Sequence, residues 1–515
     1  MSYPAFQKVG KKLLPTPLLQ HATESANSRN KQFQILLEQR KWPEEGWDEQ
    51  TIEIFLNELS AMDTNNFMTR PSGVGEREGR TYSSLVRRRA YGLSHGIGRS
   101  GDLAESQPKA AGSSLMSSLT NDLLLDFLQT NIGKDVKEAC LFPMATGMTM
   151  TLILLTLAKL KPGAKHVVWL RHDQKSVFKS ILTAGLTPII VDPVLSHDKI
   201  QLETNVEGVE SAISRIGRDN ILCIITTTSC FAPRSCDNLK SLRKFCFGSR
   251  VHHDNCESTK CSRHFGGDQD SCGTNVIYHV VNNAYGMQSR LILGELRKAM
   301  SHVDLFIQST DKNLLVPVGG CIVGSPIISS PKNSVSLLTK VRKNYPGRAS
   351  SYPASDVLIT ILSMGKKGFK SLVEQREENY KYMKTKLTEV SKKHNEQALS
   401  LSGNDISIGF SLGSVGPSQD VLTSVGGMLF KRNVTGARVV TTEDVKTIDG
   451  YTFKGWGAHH PEYPVPYLTA AAAIGMDKEE IDDFIGKLDE CIGQVKSQDK
   501  LVKIGVTETN NNALL

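Results

Sequence analysis

Phe306-Ile307-Gln308-Ser309-Thr310-Asp311-Lys312-Asn313 is the stretch that decides the fold. An apolar run with β-branched and aromatic residues reads as a buried strand, and a lysine stands just past its end. Burying an ammonium is costly unless it is paired or neutralised. Lys312 is therefore either a side chain snorkelling out from a strand end or an amine kept for nucleophilic chemistry. Outward from it lie similar short runs: HVVWL (166–170), TPIIVDPV (187–194), NILCIITTT (220–228) and NVIYHVVNN (275–283). QKSVFKSILTAG (174–185), between the first two, has helical spacing. Apolar runs with intervening helices predict an α/β domain with a mainly parallel sheet covered on both faces.

The chain has 515 residues, enough for about three domain-sized units or one large two-domain enzyme. Apolar residues at 39% and charged residues at 22% exclude collagen-like, coiled-coil and wholly disordered chains. Lys plus Arg number 61 against 53 for Asp plus Glu, a charge of +8 that permits a polyanionic partner without requiring one. Ten cysteines are too few for a disulfide scaffold. The opening MSYPAFQKVGKKLLP lacks a secretory pattern, and the apolar stretch 148–160 is too short to span a membrane. The expectation is a cytoplasmic protein with free thiols and no membrane contact.

Ile52, Phe55, Leu56 and Leu59 fall at helical spacing, so residues 1–60 read as a helical extension that serves oligomerisation. Residues 61–365 form the large domain, interrupted at 248–275. Residues 366–498 read as a smaller C-terminal α+β domain, with Phe369, Leu372, Val373, Tyr380, Met383, Leu387 and Val390 along one helix face. Residues 499–515 read as a disordered tail.

Several constellations could carry chemistry. Gly96-Ile97-Gly98-Arg99-Ser100-Gly101 matches the dinucleotide fingerprint, but RRRAYGLSH before it is no buried strand. It reads as a surface loop or as a phosphate-binding loop with Arg99, Ser100, Gln107 and Lys109 as donors. Pro143-Met144-Ala145-Thr146-Gly147-Met148 opens an apolar helix, either as a plain cap or as an anion site. Val280-Val281-Asn282-Asn283-Ala284-Tyr285-Gly286 ends a strand in polar groups. An anion-binding helix start, a strand ending in a ring-nitrogen partner and a strand ending S-x-x-K follow the order expected of pyridoxal-phosphate enzymes on the aminotransferase fold.

At this point longer motifs accumulate: GVGEREGR (73–80), HGIGRSGD (95–102), QPKAAGSS (107–114), PMATGM (143–148), DQKS (173–176), SCFAPR (229–234), NNAYG (282–286), VPVGG (316–320), YPGRAS (345–350), TGARVV (435–440) and AAIGM (472–476). In these the chain closely resembles the O-phosphoseryl-tRNA(Sec) selenium transferases, over roughly residues 15–495. The resemblance implies a homotetramer of aminotransferase-like, fold-type I subunits that use pyridoxal 5′-phosphate. It implies phosphoserine on tRNA(Sec) as substrate, selenophosphate as selenium donor and a place in selenocysteine biosynthesis. Lys312 would be the Schiff-base lysine and Asn282 the partner of the pyridine nitrogen. Ala145, Thr146 and Gly147 would hold the cofactor phosphate, with Gln174 and Arg77 also at the cofactor. Arg99, Ser100, Gln107 and Arg348 would bind the substrate phosphate, and Glu76 would repel a free α-carboxylate. Arg432, Lys298 and Lys496 would contact tRNA. No metal is implied.

The departure is Gly248–Asn275, about two dozen residues beyond the family pattern, either a surface insert or retained non-coding sequence. Cys256, Cys261, His264 and Cys272 inside it could bind zinc, although C-x₄-C-x₂-H-x₇-C is not a standard ligand spacing. The rivals are another pyridoxal-phosphate enzyme, such as a cysteine-forming tRNA enzyme or a desulfurase, and a tRNA-binding homologue that has lost turnover. Lys312, Asn282, Arg99 and Arg348 together argue against the last, because binding alone needs none of that set.

Overall fold

The apolar runs form strands where the alternation predicts them. The structure is a computed structural model, describing residues 9–69, 72–246, 276–326, 335–416 and 418–512, with side chains to 498. The strands are β1 (Glu138–Phe142), β2 (His166–Leu170), β3 (Thr187–Val191), β4 (Val194–Leu195), β5 (Leu202–Glu203), β6 (Ile221–Thr227), β7 (Tyr278–Asn282), β8 (Leu305–Ser309) and β9 (Cys321–Ser325). A smaller set follows: β10 (Ala398–Leu401), β11 (Asn404–Ser411), β12 (Arg438–Val440), β13 (Val445–Ile448), β14 (Tyr451–Lys454) and β15 (Tyr467–Ala471).

Seven strands form the main sheet in the order β1-β9-β8-β7-β6-β2-β3. Strands β3, β2, β6, β7 and β8 pair in parallel, and β9 runs against both its neighbours. Sequence reading missed β1 and β9, because β9 follows Gly319-Gly320 and contains Gly324, which dilute its apolar pattern. Gly324 is nevertheless required there: an added Cβ would lie 2.2 Å from the Phe306 ring. The small domain is an antiparallel sheet, β10-β11-β15-β12, against the helices Gln419–Lys431 and Lys478–Asn512. That last helix continues through 499–512, where the sequence reading has a disordered tail.

Helices Thr16–Gln39 and Glu49–Ala61 make up the N-terminal extension. Between them Trp42 is buried against Phe127 and Phe369, and its indole N–H donates to Ile361 O at 3.0 Å. The long helical span Tyr352–Lys393 breaks at Gly365, whose φ is +57°. A Cβ there would sit 2.5 Å from the backbone at Glu45 and Gly46, so only glycine lets the N-terminal turn dock into the break.

The insert at 248–275, with its cysteines and histidine, lies outside the described residues. Its flanks are anchored. Buried Lys161 donates from Nζ to Ile221 O (2.7 Å), Val276 O (2.8 Å) and Arg218 O (3.1 Å), and Arg218 donates to Phe245 O at 2.7 Å. Both ends of the segment are thereby tied to the start of β6.

A second clamp sits at the opposite end of β2. Arg171 pairs with Asp173 (2.8 Å) and Asp192 (2.9 Å) and donates to Lys454 O (2.7 Å). Asp173 Oδ2 accepts from the backbone of Gly457 and His459, both at 2.8 Å, and Asp173 N–H donates to His459 Nδ1. His172 stacks on His459, with centroids 5.2 Å apart and planes 9° apart.

Two outcomes are expected. Lys161→Met should cost roughly 1.5–3 kcal/mol in urea unfolding, because three buried carbonyls lose a charged donor. The second concerns pH. Burial holds His172 and His459 well below the ordinary imidazole range, helped at His172 by His459, Arg234 and Lys312. The unfolded chain takes up these protons near pH 6.5 and the folded chain only well below it. In that window the unfolded state binds more protons, so stability is lost as the pH is lowered. The thermal midpoint should drop from pH ~7 to ~5, less steeply in His172→Leu; identical slopes would refute this.

Candidate active site

The parallel strands β8, β7, β6 and β2 end side by side, and residues just past those ends share one crevice, the usual ligand position in an open α/β sheet. Asn282 is the last residue of β7, opposite Ile307 of β8, and is buried. Its side-chain Oδ1 is buried without a hydrogen-bond partner among the described residues. Lys312 lies in the short helix Thr310–Leu314 that follows β8. It is exposed, so the chain around it does not bury the ammonium, and its Nζ lies 5.8 Å from the Tyr285 ring centroid. Asn313 fixes the turn by donating to Ala284 O (2.8 Å) and Ser309 O (2.7 Å).

The helix Thr146–Leu160 starts at the same side, with Ala145 as its N-cap residue and no side-chain cap. Its Thr146 and Thr149 hydroxyls meet the Cys321 thiol, which burial pushes up to about 11. Since Cys321 pairs with Ser309, Thr146 stands next to the strand that carries Lys312. Gly147 faces Ser176, and Gln174 opens the helix Lys175–Thr183. Ala145, Thr146, Gly147, Gln174, Asn282 and Lys312 thus share the carboxyl-end crevice.

Sequence reasoning missed several of its neighbours. Arg234 is fully buried, bonds both oxygens of Asp237 (2.9 and 3.0 Å) and donates from Nε to Arg171 O at 2.9 Å. Burial opposes its charge, yet Asp237 holds its pKa above the ordinary value. Tyr285, its pKa raised by burial, has no hydrogen-bond partner for its hydroxyl among the described residues and packs on Phe231. The charged triplet Arg171-His172-Asp173 directly after an apolar strand was the available signal.

A second group forms around the glycine-rich loop. Ile97 and Ala349 exchange two backbone hydrogen bonds, of 2.9 and 3.0 Å, which bring Arg348 beside the loop that carries Arg99 and Ser100. Gly96 makes this possible: a Cβ would fall 2.4 Å from Ala349 O, and φ is +73°. Arg348 pairs with Glu78 at 3.1 Å, while its Nε and Nη2 are buried with no hydrogen-bond partner among the described residues. Arg342 pairs with Asp102 of the same loop at 3.2 Å. Gln107 is tied by its backbone N–H to Ser114 Oγ at 2.9 Å. Glu76 pairs with Lys109 at 3.1 Å, so that lysine is engaged rather than offered to a phosphate; Arg77 is exposed. None of these contacts reaches Lys312 or Asn282. The segment before Gly96 is a short helix, Ser84–Arg89, and a turn, which rules out the dinucleotide reading.

Arg432 caps the helix Gln419–Lys431 and donates to Met428 O (3.2 Å) and Gln494 Oε1 (3.0 Å). Lys496, two residues beyond Gln494, donates to Ser414 Oγ at 2.6 Å. Lys298 lies elsewhere, on the helix Arg290–Ala299, paired with Glu295 at 2.7 Å. Among the described residues no cluster of three or more His, Cys, Asp or Glu could hold a metal, and no helix is long and apolar enough to cross a membrane.

Comparison with known proteins bears on both groups. The family model described as O-phosphoseryl-tRNA(Sec) selenium transferase matches residues 62–253 and 270–493, broken inside the segment set apart as an insert. The O-phosphoseryl-tRNA(Sec) selenium transferase of Dictyostelium discoideum is 40% identical over 499 residues, covering 93% of this chain and 97% of its own. That of Methanocaldococcus jannaschii is 33% identical over 482 residues, covering 93% and 98%. The crystal structure of an archaeal member superposes with a TM-score of 0.78 at 30% identity, covering 93% of this chain and 98% of its own. A glutamate decarboxylase of Lactobacillus brevis, at 12% identity and a TM-score of 0.51, shares the fold alone; it covers 87% of this chain and 93% of its own. With its long motifs placed on one crevice and one glycine-rich loop, and with this coverage, the chain belongs to the O-phosphoseryl-tRNA(Sec) selenium transferase family, whose members depend on pyridoxal phosphate.

Proposed function

We propose that this chain converts phosphoserine on tRNA(Sec) to selenocysteine, with selenophosphate as selenium donor. The observation that carries the reading is the Asn282 Oδ1, buried and without a partner among the described residues at the end of β7, one strand away from the turn that presents Lys312. A buried polar atom without a partner is costly and is best explained by a ligand group that completes it. Pyridoxal phosphate fits these residues: Asn282 would meet its ring nitrogen, Gln174 and Arg77 would lie by the ring, and Ala145, Thr146 and Gly147 would hold its phosphate at a helix start. When bound it supplies an aldehyde for the substrate amine and a ring that takes up electron density from Cα.

The remaining work falls to side chains. Lys312 would take the Cα proton of the substrate on Nζ. Arg99 and Arg348, with Ser100 and Gln107, hold the phosphate as its C–O bond to Cβ breaks; the selenium of selenophosphate then bonds to Cβ while Lys312 returns the proton to Cα, and water cleaves the P–Se bond to release a second phosphate. The two partnerless nitrogens of Arg348 are ready donors for that anion. Glu76 disfavours a free α-carboxylate, which the esterified substrate lacks. Arg432 and Lys496, close together on the small domain, and Lys298 on the large one contact tRNA. In this reading the chain acts in the cytoplasm as a homotetramer. Phe67, Met68, Val74 and Tyr82, exposed on the segment that carries Glu76 and Arg77, and Leu85 on the helix Ser84–Arg89 that follows, support subunit packing there.

The direct test is conversion of phosphoseryl-tRNA by the purified protein with selenophosphate, with free phosphoserine as the unreactive control. Lys312→Ala should lower conversion by ~10²–10⁴-fold, and borohydride should fix the cofactor to Lys312 in the parent and to no residue in the variant. A neutral Asn282 cannot hold a ring proton by ion pairing. Asn282→Asp should therefore raise the share of turnovers that end with the amine left on the cofactor, measured as pyridoxamine phosphate; an unchanged partition removes the idea.

A further inference from the structure

A cavity of about 560 Å³ lies beside the crevice, between the loop after β6 and the small domain. Phe231, Met383 and Phe484 give it apolar and aromatic walls, and the small side chains of Ala471 and Ala473 leave it open. It is connected to the crevice by two ring contacts. Lys312 Nζ lies 5.8 Å from the Tyr285 centroid, and that ring lies 5.7 Å from Phe231. Leu315, just past the Lys312 turn, packs near Gly475 on the cavity rim, 3.4 Å from where a Cβ would stand.

We infer that this cavity receives the 3′-terminal adenosine of the substrate tRNA. The inference rests on the function proposed above. In an aminoacyl-tRNA the carboxyl group is esterified to the terminal ribose. A substrate whose amine reaches Lys312 therefore carries its nucleoside one ester link away. The cavity lies at that remove, and its size is in the usual range for a small-molecule site.

Its chemistry favours a base over a phosphate. Aromatic and apolar walls offer a stacking platform, which nucleobases use and phosphates cannot. On the lining, the Glu480 carboxylate accepts from Asp477 N–H at 3.0 Å and that of Asp483 pairs with Lys487, which leaves an oxygen on each to accept a hydrogen bond from an exocyclic amine or a ribose hydroxyl. Outside, Arg432 directly precedes Asn433 of the rim, and its guanidinium is steadied by Met428 O and Gln494. A cation there matches the phosphodiester that leads into the cavity.

The test uses the full-length holoenzyme and tRNA(Sec) transcripts that are intact, that lack the terminal adenosine, or that carry 2-aminopurine at that position. The expected results are quenching of 2-aminopurine on binding and a Kd roughly tenfold weaker for the shortened tRNA, the scale of one lost base stack. Ala473→Leu, which fills the cavity from its exposed side, should bind intact and shortened tRNA alike and lose the quenching. Its thermal midpoint and cofactor absorbance should match the parent. Equal affinity of the parent for intact and shortened tRNA, or quenching that persists in Ala473→Leu, overturns the cavity assignment alone. No binding of any tRNA form overturns the proposed function, and this inference with it.

Discussion

A buried guanidinium–carboxylate pair, Arg171 with Asp173, holds the crevice together. Neither group could stay charged away from water without the other and without further hydrogen bonds. The structure supplies these from Asp192, from Lys454 O and from the backbone of Gly457 and His459. The consequence is positional. Gln174 follows Asp173 directly, so the orientation of the residue proposed to lie by the ring depends on an ion pair closed by residues nearly three hundred positions later. The same contacts bring the small-domain segment 454–459 onto the carboxyl end of β2.

The two groups of functional residues differ in how they are built. The crevice residues hang from ends of adjacent strands, so the main-sheet hydrogen bonds set their spacing. The group proposed to bind the substrate phosphate is held by loops, and its coherence comes from one short antiparallel bridge, Ile97 to Ala349, that glycine at 96 permits. Rigid strands suit a cofactor that stays, and a hinged loop suits a phosphate that arrives and departs. The exposed Arg99 and half-buried Arg348 fit a site completed by its ligand.

Much of this was legible in the residue order. The parallel strands announced themselves as continuous apolar runs, and Lys312 was conspicuous because a charged group followed one of them. Asn282 was legible for the same reason. What could not be read was long-range closure. Nothing local to Asp173 indicates that its partners lie at 457 and 459, and nothing in YPGRAS indicates that its arginine lands beside Arg99. β9 was missed because glycines blunt its pattern; one of them is there because Phe306 fills the space a side chain would need. The pairing of Glu76 with Lys109 also escaped notice, since an ion pair between two loops leaves no periodicity.

Lys161 and Arg218 fasten Phe245 and Val276 to one corner of the sheet. Whatever polypeptide is spliced between those two residues therefore leaves and re-enters through a fixed gateway, and its size is not transmitted to Asn282 six residues on. That corner lies at the opposite end of β7 from Asn282, so both ends of the intervening chain are fixed away from the crevice.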